Sequence, residues 1–251
     1  MSVDKAIVVK NLSKSFIRNP NNYLTDKLLG RHKKTDKGIF KALYQINFEV
    51  DKGQFFGIVG KNGSGKSTLL RIILGSIPAD KGGNVMVNGK AIKLSLGMGF
   101  NNLLTARDNI YINGSIIGLS FKEIGENFDE ILDFAEVSKF VDTPIKYFSS
   151  GMKSRLAFSI ALKAKADIFL MDEFFGGVGD IGFKKKSQEA FRILIEDGKT
   201  IVLVSHSMKV IKSNCSKVLL LNKGKQISIG TPNEIIPLYK SLFRKQDKID
   251  R

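Results

Sequence analysis

A chain of 251 residues with 43% hydrophobic content is long enough to bury a sizeable core in one large α/β domain, or in a domain with a subdomain. A single cysteine, Cys215, excludes an intrachain disulfide and points to a reducing compartment, and no run approaches the roughly 18–20 apolar residues that cross a bilayer. The net charge of +16 directs attention to anionic counterparts: nucleic acid, an anionic membrane surface or an anionic substrate.

The N-terminal MSVDKAIVVK lacks the apolar core of a secretory leader. AIVVKNLSKSF (6–16) and LYQINFEV (43–50) alternate polar and apolar residues and suit an antiparallel edge sheet. Between them runs a polar segment, residues 17–40, with a short YLTDKLLG core. Residues 14–41 hold eight basic side chains against Asp26 and Asp36, a local excess of six positive charges. A structureless stretch of that length inside a compact domain is expected to be functional or mobile. FFGIVG (55–60), DIFLMD (167–172) and TIVLVSH (200–206) read as buried parallel strands, each ending in polar residues at the carboxyl edge of a sheet. FDEILDFAEVSKFV (128–141) and SRLAFSIALKA (154–164) have helical spacing, and VLLLNKGKQISIGT (218–231) reads as a hairpin turning at Lys-Gly. Cys215, just before an apolar run, reads as a packing residue. Basic residues dominate again from Lys209 to Arg251, which a solvated lysine-rich surface explains equally well.

The chemistry gathers at three strand ends. GKNGSGKST (60–68) fits G-x-x-x-x-G-K-[ST], with a strand before it and the helical run TLLRIILG after it, the context this phosphate loop requires. Gly60, Gly63 and Gly65 let the backbone turn its N–H groups toward phosphate oxygens at the positive end of the following helix, with Lys61, Asn62, Ser64 and Thr68 completing the loop. Lys66 is placed to reach the β- and γ-phosphates of a nucleotide, and the Ser67 hydroxyl to ligate Mg²⁺. Asp172 at the end of its strand is a second candidate for Mg²⁺, and Glu173 beside it for orienting the attacking water. A carboxylate pair capping the next helix is the plainer alternative. His206 closes the third strand, where an imidazole can bond a γ-phosphate or serve only structure. Ser149, Ser150 and Gly151 precede a helix, and a serine there is by itself an ordinary N-cap.

In this order, a phosphate loop, about 80 further residues, S-S-G-x-K, a D-E strand and an S-H strand resemble the ATP-binding cassette (ABC) ATPases over nearly the whole chain. The resemblance implies a P-loop NTPase core with a parallel sheet, an antiparallel β edge subdomain and an inserted helical subdomain at about 95–160, all within one nucleotide-binding domain. FSSGM (148–152) stands where the family has Leu-Ser-Gly-Gly-Gln: Ser149 and Gly151 match, while Ser150 and Met152 replace a glycine and the glutamine. In the family that segment contacts the γ-phosphate held by the other subunit, which implies a homodimer with two ATP molecules between its halves. By the same carry-over Asp180 lies along the dimer seam, and Phe16 is the aromatic that stacks on adenine, with Phe40 its rival.

The family's usual glutamine between phosphate loop and signature is missing, since no Gln occurs between Gln54 and Gln188. LSLGMGFNNLLTARDNI (94–110) is instead similar to the segment of the subfamily that exports O-antigen, capsule and teichoic acid, with Ala106 and Asp108 where that pattern often has Gly and Glu. Asn101 or Asn102 is the candidate replacement for the glutamine. The resemblance implies the ATPase subunit of an exporter on the cytoplasmic face of the inner membrane, docked on a transmembrane permease and moving a lipid-linked polysaccharide. The basic loop 17–40 is then expected near lipid head groups, where each charge contributes roughly 1 kcal/mol against an anionic leaflet. The chain stops at Arg251, so the carbohydrate-binding domain of several relatives is expected to be absent. The alternatives are an ATPase for a small-molecule transporter, a soluble nucleic-acid-associated ABC ATPase and a catalytically dead cassette; the last is disfavoured by Lys66, Asp172, Glu173 and His206.

Overall fold

The computed structural model describes residues 4–17, 39–94, 99–172 and 181–246. Strands β1 (Lys5–Ile17) and β2 (Ile39–Asp51) pair antiparallel, and β4 (Asn84–Val87) adds antiparallel to the outer side of β1. The parallel part contains β3 (Phe55–Val59), β5 (Ala91–Leu94), β6 (Ile168–Asp172), β7 (Thr200–Val204) and β8 (Lys217–Asn222), with β9 (Lys225–Gly230) antiparallel to β8. Among the described residues the strands run in the order β4-β1-β2-β9-β8-β3-β7-β6-β5. The two parts meet where Tyr44 pairs with Lys225.

Alternation along the buried strands builds two cores from one set of strands. Phe56, Ile58, Leu170, Val202, Val204 and Leu219 face one side, with Leu69 and Leu70 of helix α1 (Lys66–Ile73) and the apolar face of β1 and β2. Phe55, Val59, Phe169, Met171, Leu203 and Leu220 face the other. There they meet α5 (Ser150–Leu162), α6 (Ile181–Glu196), α7 (Met208–Asn214) and α8 (Pro232–Gln246). Burial on both faces is why these strands read as unbroken apolar runs rather than alternating ones. At the turn between β8 and β9, Lys223 and Gly224 both take positive φ, 46° and 77°, as a tight two-residue hairpin demands.

Helices α2 (Ala106–Ile116), α3 (Phe121–Glu126) and α4 (Phe128–Ala135) enclose a third core around Ile110, Ile124, Ile131, Phe148 and Leu156. Helix α5 serves two cores at once, sending Leu156 and Ile160 into this one and Phe158 and Ala161 into that of the sheet. One expectation is corrected here. The periodic run 128–141 does not form a single helix: α4 stops at Ala135, Glu136 takes a left-handed φ of 60°, and the chain resumes as a 3₁₀ turn at Ser138–Phe140. Val137 is buried in the third core by that break, so the apolar periodicity is satisfied without a continuous helix. No helix among the described residues is long and apolar enough to cross a membrane.

Candidate functional site

Register brings three strand ends to one edge. Val204 of β7 pairs with Ile58 on one side and with Asp172 on the other. The loop opening at Gly60, the carboxylate of Asp172 and His206, two residues beyond Val204, therefore emerge at one level, outside the carboxyl ends of parallel strands where open α/β sheets bind ligands.

The loop itself is built for close approach. A Cβ on Gly60 would lie 2.3 Å from the Leu221 carbonyl oxygen and 2.5 Å from Ser64 Oγ, so only glycine fits. Gly65 is the N-cap of α1 at φ 102°, a backbone shape that glycine alone adopts freely, and it offers no side-chain cap. The first N–H groups of a helix have no partners within it, so they remain for a ligand anion. Lys66, only 6% exposed, folds its ammonium back into the loop, donating to Gly60 O at 2.8 Å and Lys61 O at 3.0 Å. Ser64 Oγ is buried without a hydrogen-bond partner among the described residues. An orphaned hydroxyl, a glycine cradle and a buried ammonium that donates to loop carbonyls are the donor set of an anion site, and they fit nucleotide phosphates. Ser67 follows on the first turn of α1. With Asp172 it supplies the hard oxygen donors that Mg²⁺ takes. Asp172 is paired with Lys93 of β5, Nζ to Oδ2 at 3.3 Å.

A cavity of about 300 Å³ is bounded by Asn62 through Thr68 together with Phe40 and Ala42 of β2. Phe16, the expected adenine-stacking residue, pairs across β1 and β2 with Phe40 but does not line this cavity; it is 39% exposed, with Lys14 Nζ 5.4 Å from its ring centre. The rival Phe40 is the one at the cavity wall. A second cavity, about 340 Å³, is lined by Lys61, Asn62, His206 and Tyr239.

The S-S-G segment lies at the start of α5. Ser149 is its N-cap, its Oγ accepting the Met152 N–H at 3.1 Å, while Ser150 and Gly151 form the first turn. The cap uses the hydroxyl as an acceptor and leaves its proton to be donated outward. Asn101 and Asn102, the candidate stand-ins for a missing glutamine, are engaged locally. Asn101 Oδ1 accepts from the Leu103 N–H, and Asn102 Oδ1 from Lys153 Nζ on α5 at 3.0 Å. Cys215 is buried and its thiol pushed up to about 12 by desolvation, the inert packing residue expected. Glu173, Asp180 and most of the basic loop 17–40 lie outside the described residues. Sequence reasoning did not find Lys93, Ala42 or Tyr239, each brought to the site by pairing or packing over long separations.

A model of the ABC transporter family matches residues 43–176. The chain is 41% identical to the teichoic acids export ATP-binding protein TagH of Lactococcus lactis, over 89% of its own length and 47% of that protein's. It is 38% identical to the O-antigen export system ATP-binding protein RfbB of Myxococcus xanthus, over 94% of itself and 55% of the relative. With the ABC transporter protein AbcA of Aeromonas salmonicida the identity is 37%, over 97% and 78% of the two chains. The chain thus spans about half the length of the first two relatives. Among solved structures it is similar to a dimeric ATP-binding cassette in a post-hydrolysis state with ADP and Pi, with TM-score 0.71 and 24% identity over 90% of this chain and 98% of that one. A second likeness, to an ATP-binding subunit of an ABC transporter, has TM-score 0.73 and 20% identity over 93% of each chain. At such identities these likenesses speak to the fold.

Proposed function

Because the chain belongs to the ABC transporter family, we propose that it is the ATP-hydrolysing subunit of an exporter that drives a lipid-linked polysaccharide, of the O-antigen, capsule or teichoic acid type, across the cytoplasmic membrane. The observation that carries the cargo class is the run of teichoic acid and O-antigen export relatives, near 40% identical and matching most of this chain. The phosphate loop carries the chemistry.

In this reading two copies close head to tail over two ATP molecules. The phosphate-loop N–H groups and Lys66 hold the β- and γ-phosphates, and the ammonium exchanges two carbonyl acceptors for phosphate oxygens. Ser67 and Asp172 would hold Mg²⁺, which would supply positive charge to offset that on the phosphate oxygens. Glu173 orients a water whose oxygen attacks the γ-phosphorus as the bond to ADP breaks, giving ADP and inorganic phosphate. His206 bonds the γ-phosphoryl group, and Ser149 donates to the γ-phosphate held by the opposite copy, with Asp180 along the seam. Phosphoryl transfer has a loose transition state, so this positioning and charge neutralisation are most of the catalysis. The helical unit around α2–α5 docks on a transmembrane permease. It exposes Leu103, Ile116, Phe121 and Tyr147, apolar side chains that water does not favour.

The test is to purify tagged Glu173→Gln protein from membranes with ATP and identify what accompanies it by mass spectrometry. A multi-helix membrane protein with a polyprenyl-linked saccharide is the expected result. A small-solute permease, or nucleic acid, in its place would overturn the cargo.

A further inference from the structure

Helix α8 reaches the phosphate loop. Tyr239 and Phe243 lie one turn apart on it, ring centres 4.7 Å apart and edge to face. Phe243 is 5% exposed and anchored in the core on the side of the sheet that α6 and α7 also cover. Its outer face carries the ammonium of Lys61, 5.2 Å from the ring centre. The carbonyl of that same Lys61 accepts from Lys66 Nζ at 3.0 Å and from the Ser64 N–H at 3.1 Å. Tyr239, meanwhile, shares the 340 Å³ cavity with Lys61, Asn62 and His206. One helix face therefore meets the second residue of the phosphate loop and lines a cavity that the histidine beyond β7 also borders.

We propose that α8 is part of the nucleotide site and that Phe243 is a positioning residue in it, acting through Lys61 on the resting place of Lys66. This rests on the reading of the phosphate loop as a nucleotide site. When phosphate draws Lys66 away from the Lys61 carbonyl, that peptide keeps the Ser64 N–H but loses one of its donors and is held less firmly against tilting. The Lys61 side chain, held against the ring, limits the tilt and passes it to α8. Whatever nucleotide then does to the docking of α8, α8 does equally to nucleotide affinity, since the coupling is reciprocal.

Hydrogen exchange on the intact protein, with MgADP as the probe, tests this without any substitution. The expected result is slower exchange both in peptides covering 58–70 and in peptides covering 232–246. A double-mutant cycle supplies the second reading. Phe243→Leu keeps apolar bulk but removes the ring face, and is expected to weaken MgADP binding about two- to fivefold. With Lys61→Met the two losses should be non-additive. A purely structural Phe243 would lower the melting temperature and leave the cycle additive, which overturns the proposal. So does protection of 58–70 with 232–246 unchanged, an outcome that leaves the nucleotide site itself standing. No protection anywhere at saturating MgADP removes the nucleotide reading and the proposal together.

Discussion

Lys93 Nζ stands 3.3 Å from the carboxylate of Asp172, the residue assigned to Mg²⁺. The two come from adjacent strands, Lys93 pairing with Leu170 and reaching past it, and both side chains are about one-fifth exposed. The ammonium thus supplies a positive charge beside that carboxylate. Mg²⁺ must displace or share it. Lys93→Met is therefore expected to lower the Mg²⁺ concentration for half-maximal nucleotide binding by about two- to fivefold, the scale of a partly exposed pair worth ~0.5–1 kcal/mol. Titrating Mg²⁺ against a fluorescent ADP analogue measures it; an unchanged midpoint would show that the pair does not compete with the metal.

Gly65→Ala tests the loop itself. A Cβ there would meet Leu43 Cδ2 at 2.6 Å and the Ala42 carbonyl at 2.7 Å, at a φ of 102°. Backbone strain of this kind costs on the order of 1–3 kcal/mol, before the clash with a carbonyl is added. Loss of MgADP binding with a melting temperature several degrees lower is expected. Gly63→Ala is the contrast, because no atom lies within 4 Å of its Cβ, although φ is 75°. A smaller loss is expected there, and equal losses would argue against the role of the Ala42 and Leu43 wall.

The phosphate loop, the three buried strands and the hairpin were legible because each depends on local chemistry: glycine dihedrals, unbroken apolar runs and a Lys-Gly turn. What was not legible depends on pairing between distant segments. Phe40 rather than Phe16 borders the phosphate-loop cavity because of how β2 lies beside α1, and nothing near LSKSF encodes that. Strands β4 and β5 are short and half-buried, so their sequences carry little pattern. The helical run 128–141 misled because Val137 belongs to the core at an apolar period, while Glu136 turns the chain left-handed. Lys93 and α8 show the same limit. The sequence holds the side chains, but only the sheet order and the packing of the last helix bring them to the site.

Acid should unfold this protein partly through its helix starts. Glu123 is held down to about 2, first by its ion pair with Lys165 and then by bonds from Ser120. Asp108 is lowered by Thr105, and Glu234 by the Thr231 N–H. A carboxylate whose folded pKa is depressed contributes stability above its unfolded value of about 4.5 and loses it as pH falls toward the folded one. Thermal stability is expected to decline from about pH 4.5 toward pH 2, and Glu123→Gln to flatten part of that slope. A slope identical to that of the unsubstituted protein would remove Glu123 from the cause.

Ser149 separates a cap from a catalytic donor. Ser149→Ala removes the acceptor for the Met152 N–H, which costs about 1 kcal/mol and a few degrees of melting temperature. Ser149→Asp keeps an acceptor at the N-terminus of α5, so the cap and the stability should survive. It has no proton to donate, however, and in the proposed head-to-tail dimer it would set a negative charge against the γ-phosphate. The expected outcome is near-normal melting with ATP hydrolysis reduced by about a hundredfold or more, the size of one lost transition-state donor. If Ser149→Asp hydrolyses ATP at the normal rate, the serine is a helix cap alone and the signature acts through the α5 backbone.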